Sequence, residues 1–309
     1  YESQPALRTV TDFIARNIAS LPLKCYERGQ DGRRRVRDST LALLLGGAYL
    51  VWRRVISWRI PVAYLAAVAV LTLVLFRSDD PLRWMLSQLC SGGLVLGAVY
   101  GAAALALSWL PAYIGCDFPV HVRAAILAVL PFLLTGGIHC DGFMDTVDGV
   151  FSGRDRERML EIMKDSCSGS FAVVSFGILL LLQYAVLLDM PLEVLPLAML
   201  AMPVVGRLMM VIGISLFPYA RPEGMGKAFG KYADRRSCLL VTAYTVAVLA
   251  LMGWQAILAV AAAAVFSLWC GRYVTRILGG LTGDVYGTLC TISELIVLLV
   301  YLFTYSAFF

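Results

Sequence analysis

Residues 135–169 read TGGIHCDGFMDTVDGVFSGRDRERMLEIMKDSCSG and form a polar island between long apolar runs. Within them, Asp141, Asp145 and Asp148 are spaced by four and then three residues. On an α-helix this spacing places all three carboxylates within about 60° of arc. Like charges at such spacing repel one another, and an ion that prefers oxygen ligands, such as Mg²⁺ or Mn²⁺, would relieve the repulsion. The spacing therefore predicts a metal site on one helical stripe.

A simpler interpretation of the same residues is that they only begin and end helices. Asp is a frequent N-cap and Gly a frequent helix terminator, and Gly142, Gly149 and Gly153 lie close to the aspartates. Three unpaired carboxylates beside an apolar segment are costly, however, and acids kept near lipid are usually functional. We therefore favour the metal site.

The composition is typical of a polytopic α-helical membrane protein. Of the 309 residues, 60% are hydrophobic and 15% are charged, and the mean hydropathy is +0.77, which is more apolar sequence than one soluble core needs. The apolar runs are continuous rather than alternating, which disfavours a transmembrane β-barrel. No soluble basic face stands out, so no nucleic acid is expected as a partner. The eight cysteines are scattered along the chain, which favours free thiols that pack as small hydrophobic groups and disfavours a zinc site.

The apolar runs predict an all-α, polytopic helical bundle of about seven or eight spans with a polar site at its cytoplasmic edge. Residues 46–309 are assigned to this membrane-embedded domain. Residues 1–45 are assigned to a leader of doubtful origin that could lie on the membrane as an amphipathic helix. The candidate spans are 60–76, 88–110, 122–138, 170–188, 195–218, 238–253, 255–271 and 288–308.

The distribution of Lys and Arg among the loops predicts the orientation of the bundle. Basic residues are concentrated in loops 154–164, 219–237 and 272–287, whereas loops 111–121 and 189–194 contain none. By the positive-inside rule, the three basic loops lie in the cytoplasm. We therefore expect the polar clusters to meet at the cytoplasmic face of the inner membrane.

Two basic clusters on this face are candidate phosphate sites. Lys164, Asp165 and Ser166 precede an apolar helix, whose N-terminus would offer N–H groups and a positive dipole to an anion. Arg221 and Lys227 lie in a glycine-rich loop, where the backbone can approach a ligand and the cations can bind polyphosphate. The alternatives stay open: a simple helix cap in the first cluster, and a topology signal in the second.

A third cluster places charged residues inside or beside apolar sequence. Asp284 begins the last apolar segment and Glu294 follows ten residues later, so the two acids could share a helix face. Glu294 would be costly in the membrane without a partner, and we predict that Arg207 is that partner. The pair is interpreted either as part of a substrate site or as a purely structural link.

Acids that hold a metal and cations that hold phosphate, gathered at one membrane edge, predict phosphoryl transfer. In such reactions a metal neutralises charge on the leaving group, while Arg and Lys fix the transferring phosphorus in line with its acceptor. The residue pattern alone does not go beyond this reaction class.

Several motifs in this order resemble the cobalamin synthase family, which comprises membrane-integral adenosylcobinamide-GDP ribazoletransferases. The resemblance extends over roughly residues 85–305, whereas the family's short opening motif with Phe and Pro is not found in residues 1–80. The matching motifs are TGGIHCDGFMDTVDG, RERMLEIMKDSCSG, the pair Gly206-Arg207, ARPEGMG, and GGLTGDVYG followed by Glu294.

The resemblance implies a reaction, a cofactor and residue roles. The family takes adenosylcobinamide-GDP and α-ribazole, or α-ribazole 5′-phosphate, forms the phosphodiester of adenosylcobalamin and releases GMP, with Mg²⁺ as cofactor. His139 lies about 160° from Asp141 on an ideal helix, so its candidate role is to orient substrate or to act as base for the ribazole hydroxyl. The implied catalytic residues are His139, Asp141, Asp145, Asp148 and Asp165, of which Asp141, Asp145 and Asp148 are the implied metal ligands. The candidate substrate-binding residues are Lys164, Ser166, Arg207, Arg221, Lys227, Asp284 and Glu294.

Two other functions compete with this one. A CDP-alcohol phosphotransferase-like lipid synthase would use similar Asp-rich metal chemistry, but its Asp-Gly-x-x-Ala-Arg opening is absent. A cation transporter would spread its acids across the depth of the bilayer and show an internal repeat, whereas the acids here crowd one edge and no repeat is evident. Besides the small-molecule substrates, the expected partners are the lipid bilayer and a second copy of the chain.

Overall fold

The computed structural model describes residues 26–29, 32–35, 81–116, 118–165, 167–222 and 235–308. The chain divides into two units, Tyr1–Ala63 and Tyr64–Phe309. In the first unit, strands β1 (Tyr26–Gly29) and β2 (Gly32–Arg35) form an antiparallel hairpin. The leader boundary predicted at residue 45 lies outside the described residues.

The described part of the second unit consists of helices. A chain that crosses a bilayer must satisfy its own backbone N–H and C=O groups, which is why long apolar runs fold as helices. The helices confirm the predicted all-α class for the described part of this unit. The helices are α1 (Pro81–Tyr113), α2 (Val120–Leu134), α3 (Ile138–Val150), α4 (Arg156–Ile162), α5 (Ser170–Asp189), α6 (Leu195–Leu216), α7 (Arg235–Ala250), α8 (Trp254–Leu278) and α9 (Gly283–Phe308).

Several of these helices are long and apolar enough to cross a membrane, so the chain is a multi-pass membrane protein. Five described helices qualify singly, and α2 with α3 makes a sixth span if that bent pair is counted as one. The predicted span 238–253 corresponds to a shorter apolar helix, Cys238–Ala250. The predicted span 60–76 lies outside the described residues. The five spans are Gly92–Pro111, Ser170–Asp189, Leu195–Leu216, Trp254–Leu278 and Gly283–Ser306.

Helix α6 is the centre of the bundle. It is apolar on all sides, and 89% of its spanning window is buried, so it faces other helices all round. It packs most extensively against α1 and α9, and it also contacts α7 and α8.

A sharp bend separates the acidic helix α3 from α2. The two helices meet at 88°, and the break contains Gly136 and Gly137 with φ of 63° and 73°. This left-handed conformation is strained for residues with a Cβ, so the glycine pair permits the turn. The Gly137 N–H bonds to the carbonyl oxygen of Phe132 at 2.8 Å and closes the end of α2. The predicted apolar run 122–138 therefore ends in a turn, and α3 leaves it in a new direction.

Candidate functional site

Helix α3 carries the three predicted metal ligands, which confirms that they share one helix. Asp141 is exposed, whereas Asp145 and Asp148 are half-buried. Asp145 is repelled by Asp141 and Asp148 of its own helix and by Asp284 of α9, and it is attracted by Arg221. Three carboxylates and one guanidinium thus act on Asp145, and negative charge is in excess at this position.

Asp284 reaches the α3 aspartates because α3 and α9 pack at very short distance. A Cβ added at Gly142 would lie 2.8 Å from the carbonyl oxygen of Asp284 and 3.0 Å from its Cα, so a larger residue would push the helices apart. Thr288 of α9 donates to the carbonyl oxygen of Gly142, and Thr291 donates to that of His139, both at 3.3 Å. These contacts hold the acidic helix on the first turns of α9.

Arg221 is the cation at this cluster. Its Nη2 atom donates to Oδ2 of Asp284 at 2.9 Å and to the carbonyl oxygen of Met163 at 3.4 Å. Thr282 also donates to Oδ2 of Asp284, at 3.1 Å. The Arg221 side chain is 13% exposed, so the pair is shielded from water and its attraction is stronger than that of a surface pair. The sequence identified both residues as site candidates but not their pairing.

The loops that carry the polar clusters meet, as their shared orientation predicts. Arg156 donates from Nε to the carbonyl oxygen of Leu278 at 2.7 Å and from Nη2 to that of Ala220 at 3.2 Å. Ala220 donates in turn to the carbonyl oxygen of Leu281 at 2.8 Å. Arg156 thereby joins three loops next to Arg221. This role could not be predicted from the sequence, because nothing in the run RDRER separates Arg156 from the arginines beside it.

Asp148 makes a different set of contacts from those of Asp141 and Asp145. Its Oδ2 atom accepts the N–H of Gly169, and its Oδ1 atom accepts the N–H of Ala172 at 3.0 Å. Gly169 is the N-cap of α5, so Asp148 occupies the helix N-terminus that was predicted from the sequence as a phosphate site. A phosphate at that position would have to displace the Asp148 carboxylate.

The remaining candidates on the loops have few described contacts. Lys164 and Asp165 are exposed, and Asp165 accepts the N–H of Cys167 at 3.0 Å, a local turn contact. No described contact joins Asp165 to the α3 aspartates. Ser166 and Lys227 lie outside the described residues.

Arg207 and Glu294 form the predicted ion pair in the interior of the bundle. Their side chains are 5% and 6% exposed, and Nη1 of Arg207 donates to Oε1 of Glu294. The Cys290 thiol also donates to Oε1, at 3.7 Å. His139 interacts electrostatically with Arg207. The two charges neutralise each other inside the bundle.

The oxygen donors of the acidic cluster can be set against the coordination that Mg²⁺ prefers. Within the described ranges, no three His, Cys, Asp or Glu side chains are placed to hold one metal ion between them. Mg²⁺ usually binds one or two carboxylates and completes its shell with water and substrate phosphates. Asp141, Asp145 and Asp284 carry oxygen donors of the type that this mode uses, and the excess negative charge at Asp145 favours a cation.

The chain was also compared with known proteins. A family model described as cobalamin-5-phosphate synthase matches residues 63–302. The adenosylcobinamide-GDP ribazoletransferase of Desulfitobacterium hafniense (strain Y51) is 42% identical over 218 residues, which cover 67% of this chain and 81% of that protein. The protein of the same name from Citrobacter koseri is 42% identical over 215 residues (67% and 83%), and that from Acetivibrio thermocellus is 38% identical over 189 residues (60% and 76%). No solved structure matches the chain.

Proposed function

Because this chain belongs to the cobalamin-5-phosphate synthase family, we propose that it transfers the adenosylcobinamide phosphate group from adenosylcobinamide-GDP to α-ribazole or α-ribazole 5′-phosphate. A ribazole hydroxyl attacks the phosphorus that carries the cobinamide and forms the new phosphodiester bond. The bond from that phosphorus to the bridging oxygen breaks, and GMP leaves with that oxygen. The names of the relatives support the GDP-activated donor.

The observation that carries the proposal is the position of Arg221 and Asp284 beside the carboxylates of Asp141 and Asp145. The Nε–H of Arg221 is buried and has no hydrogen-bond partner among the described residues, so it can donate to a phosphate oxygen. The carboxylates would hold Mg²⁺, which supplies neutralisation of the charge on the diphosphate as GMP leaves. His139 is kept as the candidate that orients or deprotonates the ribazole hydroxyl.

We place the site at the cytoplasmic face of the inner membrane. The support for this orientation is the set of basic residues on the converging loops, among them Arg154, Arg158 and Lys164. No contact among the described residues favours the CDP-alcohol lipid synthase or the cation transporter over this function.

The proposal is tested with the purified protein, adenosylcobinamide-GDP and α-ribazole. We expect GMP and adenosylcobalamin in equal amounts, loss of turnover with EDTA and recovery when Mg²⁺ is added. Asp145→Asn should lower turnover about 100-fold or more, because a removed metal ligand affects both binding and charge neutralisation. Asp189→Asn is the matched control, since Asp189 is exposed at the far end of α5. Absence of GMP release by the unaltered protein would refute the function, and near-normal turnover of Asp145→Asn would refute the metal assignment.

A further inference from the structure

Each oxygen of the Asp148 carboxylate accepts one backbone N–H, Oδ2 from Gly169 and Oδ1 from Ala172. A Cβ added at Gly169 would lie 2.7 Å, 2.8 Å and 2.9 Å from the three atoms of that carboxylate group. Gly169 has φ of −71° and ψ of 162°, a conformation that any residue adopts. The glycine is therefore needed for the close approach of Asp148 and not for the backbone.

Gly149, the residue after Asp148, contacts Met163, at the other end of the link between α4 and α5. A Cβ at Gly149 would collide with the side chain of Met163, which is 2% exposed and packs directly on the α3 backbone. The carbonyl oxygen of Met163 accepts a hydrogen bond from Arg221. One turn of α3 thus holds both ends of segment 163–169, next to the cation of the site.

From these contacts we propose that Asp148 is a positioning residue and not a metal ligand. It anchors Gly169 and the start of α5, while the neighbouring Gly149 seats Met163, whose carbonyl oxygen accepts a hydrogen bond from Arg221; in this way the same turn of α3 keeps Arg221 beside Asp284. If Asp148 turned to a metal, two N–H groups at a half-buried helix end would lose their acceptor, which is costly. The inference rests on the proposed function, because it leaves Asp141 and Asp145 as the α3 carboxylates that hold the metal.

Three single substitutions and one double test this assignment in the detergent-solubilised protein. Asp148→Asn replaces one acceptor oxygen by an NH₂ group, which cannot accept an N–H. Gly169→Ala adds a methyl group against the carboxylate without removing any oxygen ligand. Gly177→Ala is the matched control, because a Cβ at this position of the same helix meets nothing within 4 Å. The double variant Asp148→Asn/Gly169→Ala reports whether the two changes break one contact.

The measurements are kcat, the KM for adenosylcobinamide-GDP, the half-saturating Mg²⁺ concentration, and deuterium uptake of residues 163–172 without substrate or metal. We expect Asp148→Asn and Gly169→Ala each to lower kcat/KM about tenfold, mainly through KM, because Arg221 is displaced. The double variant should lose no more than the worse single, since both changes act on one contact. Half-saturating Mg²⁺ should change by less than about twofold, as expected when no ligand is lost. Deuterium uptake should rise in both singles and not in Gly177→Ala.

A metal ligand would give the opposite pattern. Asp148→Asn alone would then raise the half-saturating Mg²⁺ concentration about tenfold or more, and Gly169→Ala would not. That result, or unchanged deuterium uptake in Asp148→Asn, overturns the inference. If Asp148→Asn does not fold, Gly169→Ala still tests whether the contact between Asp148 and Gly169 positions the site, because this variant keeps every carboxylate. Failure of the unaltered protein to release GMP would refute the proposed function instead. The comparison of deuterium uptake needs no turnover, so it still tests the role of Asp148 in that case.

Discussion

Removal of one partner of the Arg207–Glu294 pair should destabilise the protein strongly. The pair links the central helix α6 to α9, and both side chains are about one-twentieth exposed. Arg207→Met leaves Glu294 with the Cys290 thiol as its remaining described hydrogen-bond donor. Breaking a buried pair in this way costs about 3–5 kcal/mol, because an uncompensated charge stays buried. Glu294→Met should cost a similar amount for the same reason.

The double variant Arg207→Met/Glu294→Met separates the pair from the packing around it. Replacement of both partners by apolar residues of similar volume is often neutral or stabilising, so we expect the double variant within about 2 kcal/mol of the unaltered protein. The coupling energy of the cycle is then at least about 4 kcal/mol. Equilibrium unfolding in mixed micelles with increasing dodecyl sulfate, followed by circular dichroism, measures the free energies of unfolding of the unaltered protein, the two single variants and the double variant.

The surface pair Arg158–Glu161 provides the control for this cycle. The two side chains are 62% and 64% exposed, and Nη1 of Arg158 lies 2.7 Å from Oε2 of Glu161. Because a surface pair contributes little, Arg158→Met should change the free energy of unfolding by less than about 1 kcal/mol. A double variant as unstable as the sum of its singles would refute the buried-pair argument. GMP release by that double variant decides the remaining question about the pair: retained turnover favours a structural link, and lost turnover in a folded protein favours a substrate contact.

Two further substitutions test the contacts that assemble the site. Arg156→Ala removes the hydrogen bonds to Leu278 and Ala220, so Arg221 should shift and the KM for adenosylcobinamide-GDP should rise about tenfold. The control Arg158→Ala should change this KM by less than about twofold. Equal effects of the two substitutions would contradict the joining role of Arg156. Gly142→Ala should destabilise the protein by about 1–3 kcal/mol and lower GMP release, because its methyl group meets the Asp284 backbone. Gly92→Ala lies inside a helix where the added methyl group meets nothing within 4 Å, so it should raise the free energy of unfolding by up to about 1 kcal/mol and leave GMP release unchanged. A Gly142→Ala variant as stable as Gly92→Ala would argue against the close packing of α3 on α9.

Much of the architecture could be predicted because apolar length and charge placement are local properties. Continuous apolar runs cannot leave backbone groups unpaired in lipid, so they report helices directly. The same cost explains why the Arg207–Glu294 pair could be predicted from two isolated charges in apolar sequence. The asymmetry of Lys and Arg among the loops led correctly to their meeting in space.

Other parts of the site could not be predicted, because they depend on where distant backbone atoms fall. By their spacing, Asp141, Asp145 and Asp148 look equivalent. Among the described contacts, however, the N-terminus of α5 bonds only to Asp148. Likewise, Arg156 and Arg158 look alike in sequence, but one faces the end of α8 and the other pairs with Glu161 on the surface.

The amino-acid sequence by itself determined that this is a helical membrane protein with an acidic stripe and basic loops on one face, because hydrophobic length and helical periodicity are read along the chain. Only the tertiary structure decided which charges touch. The short approach of α3 to α9 brings Asp284 to the stripe and Arg221 with it, and the start of α5 takes up Asp148. Contacts of this kind act over a few ångströms between residues far apart in sequence, so they are set by packing and not by local spacing.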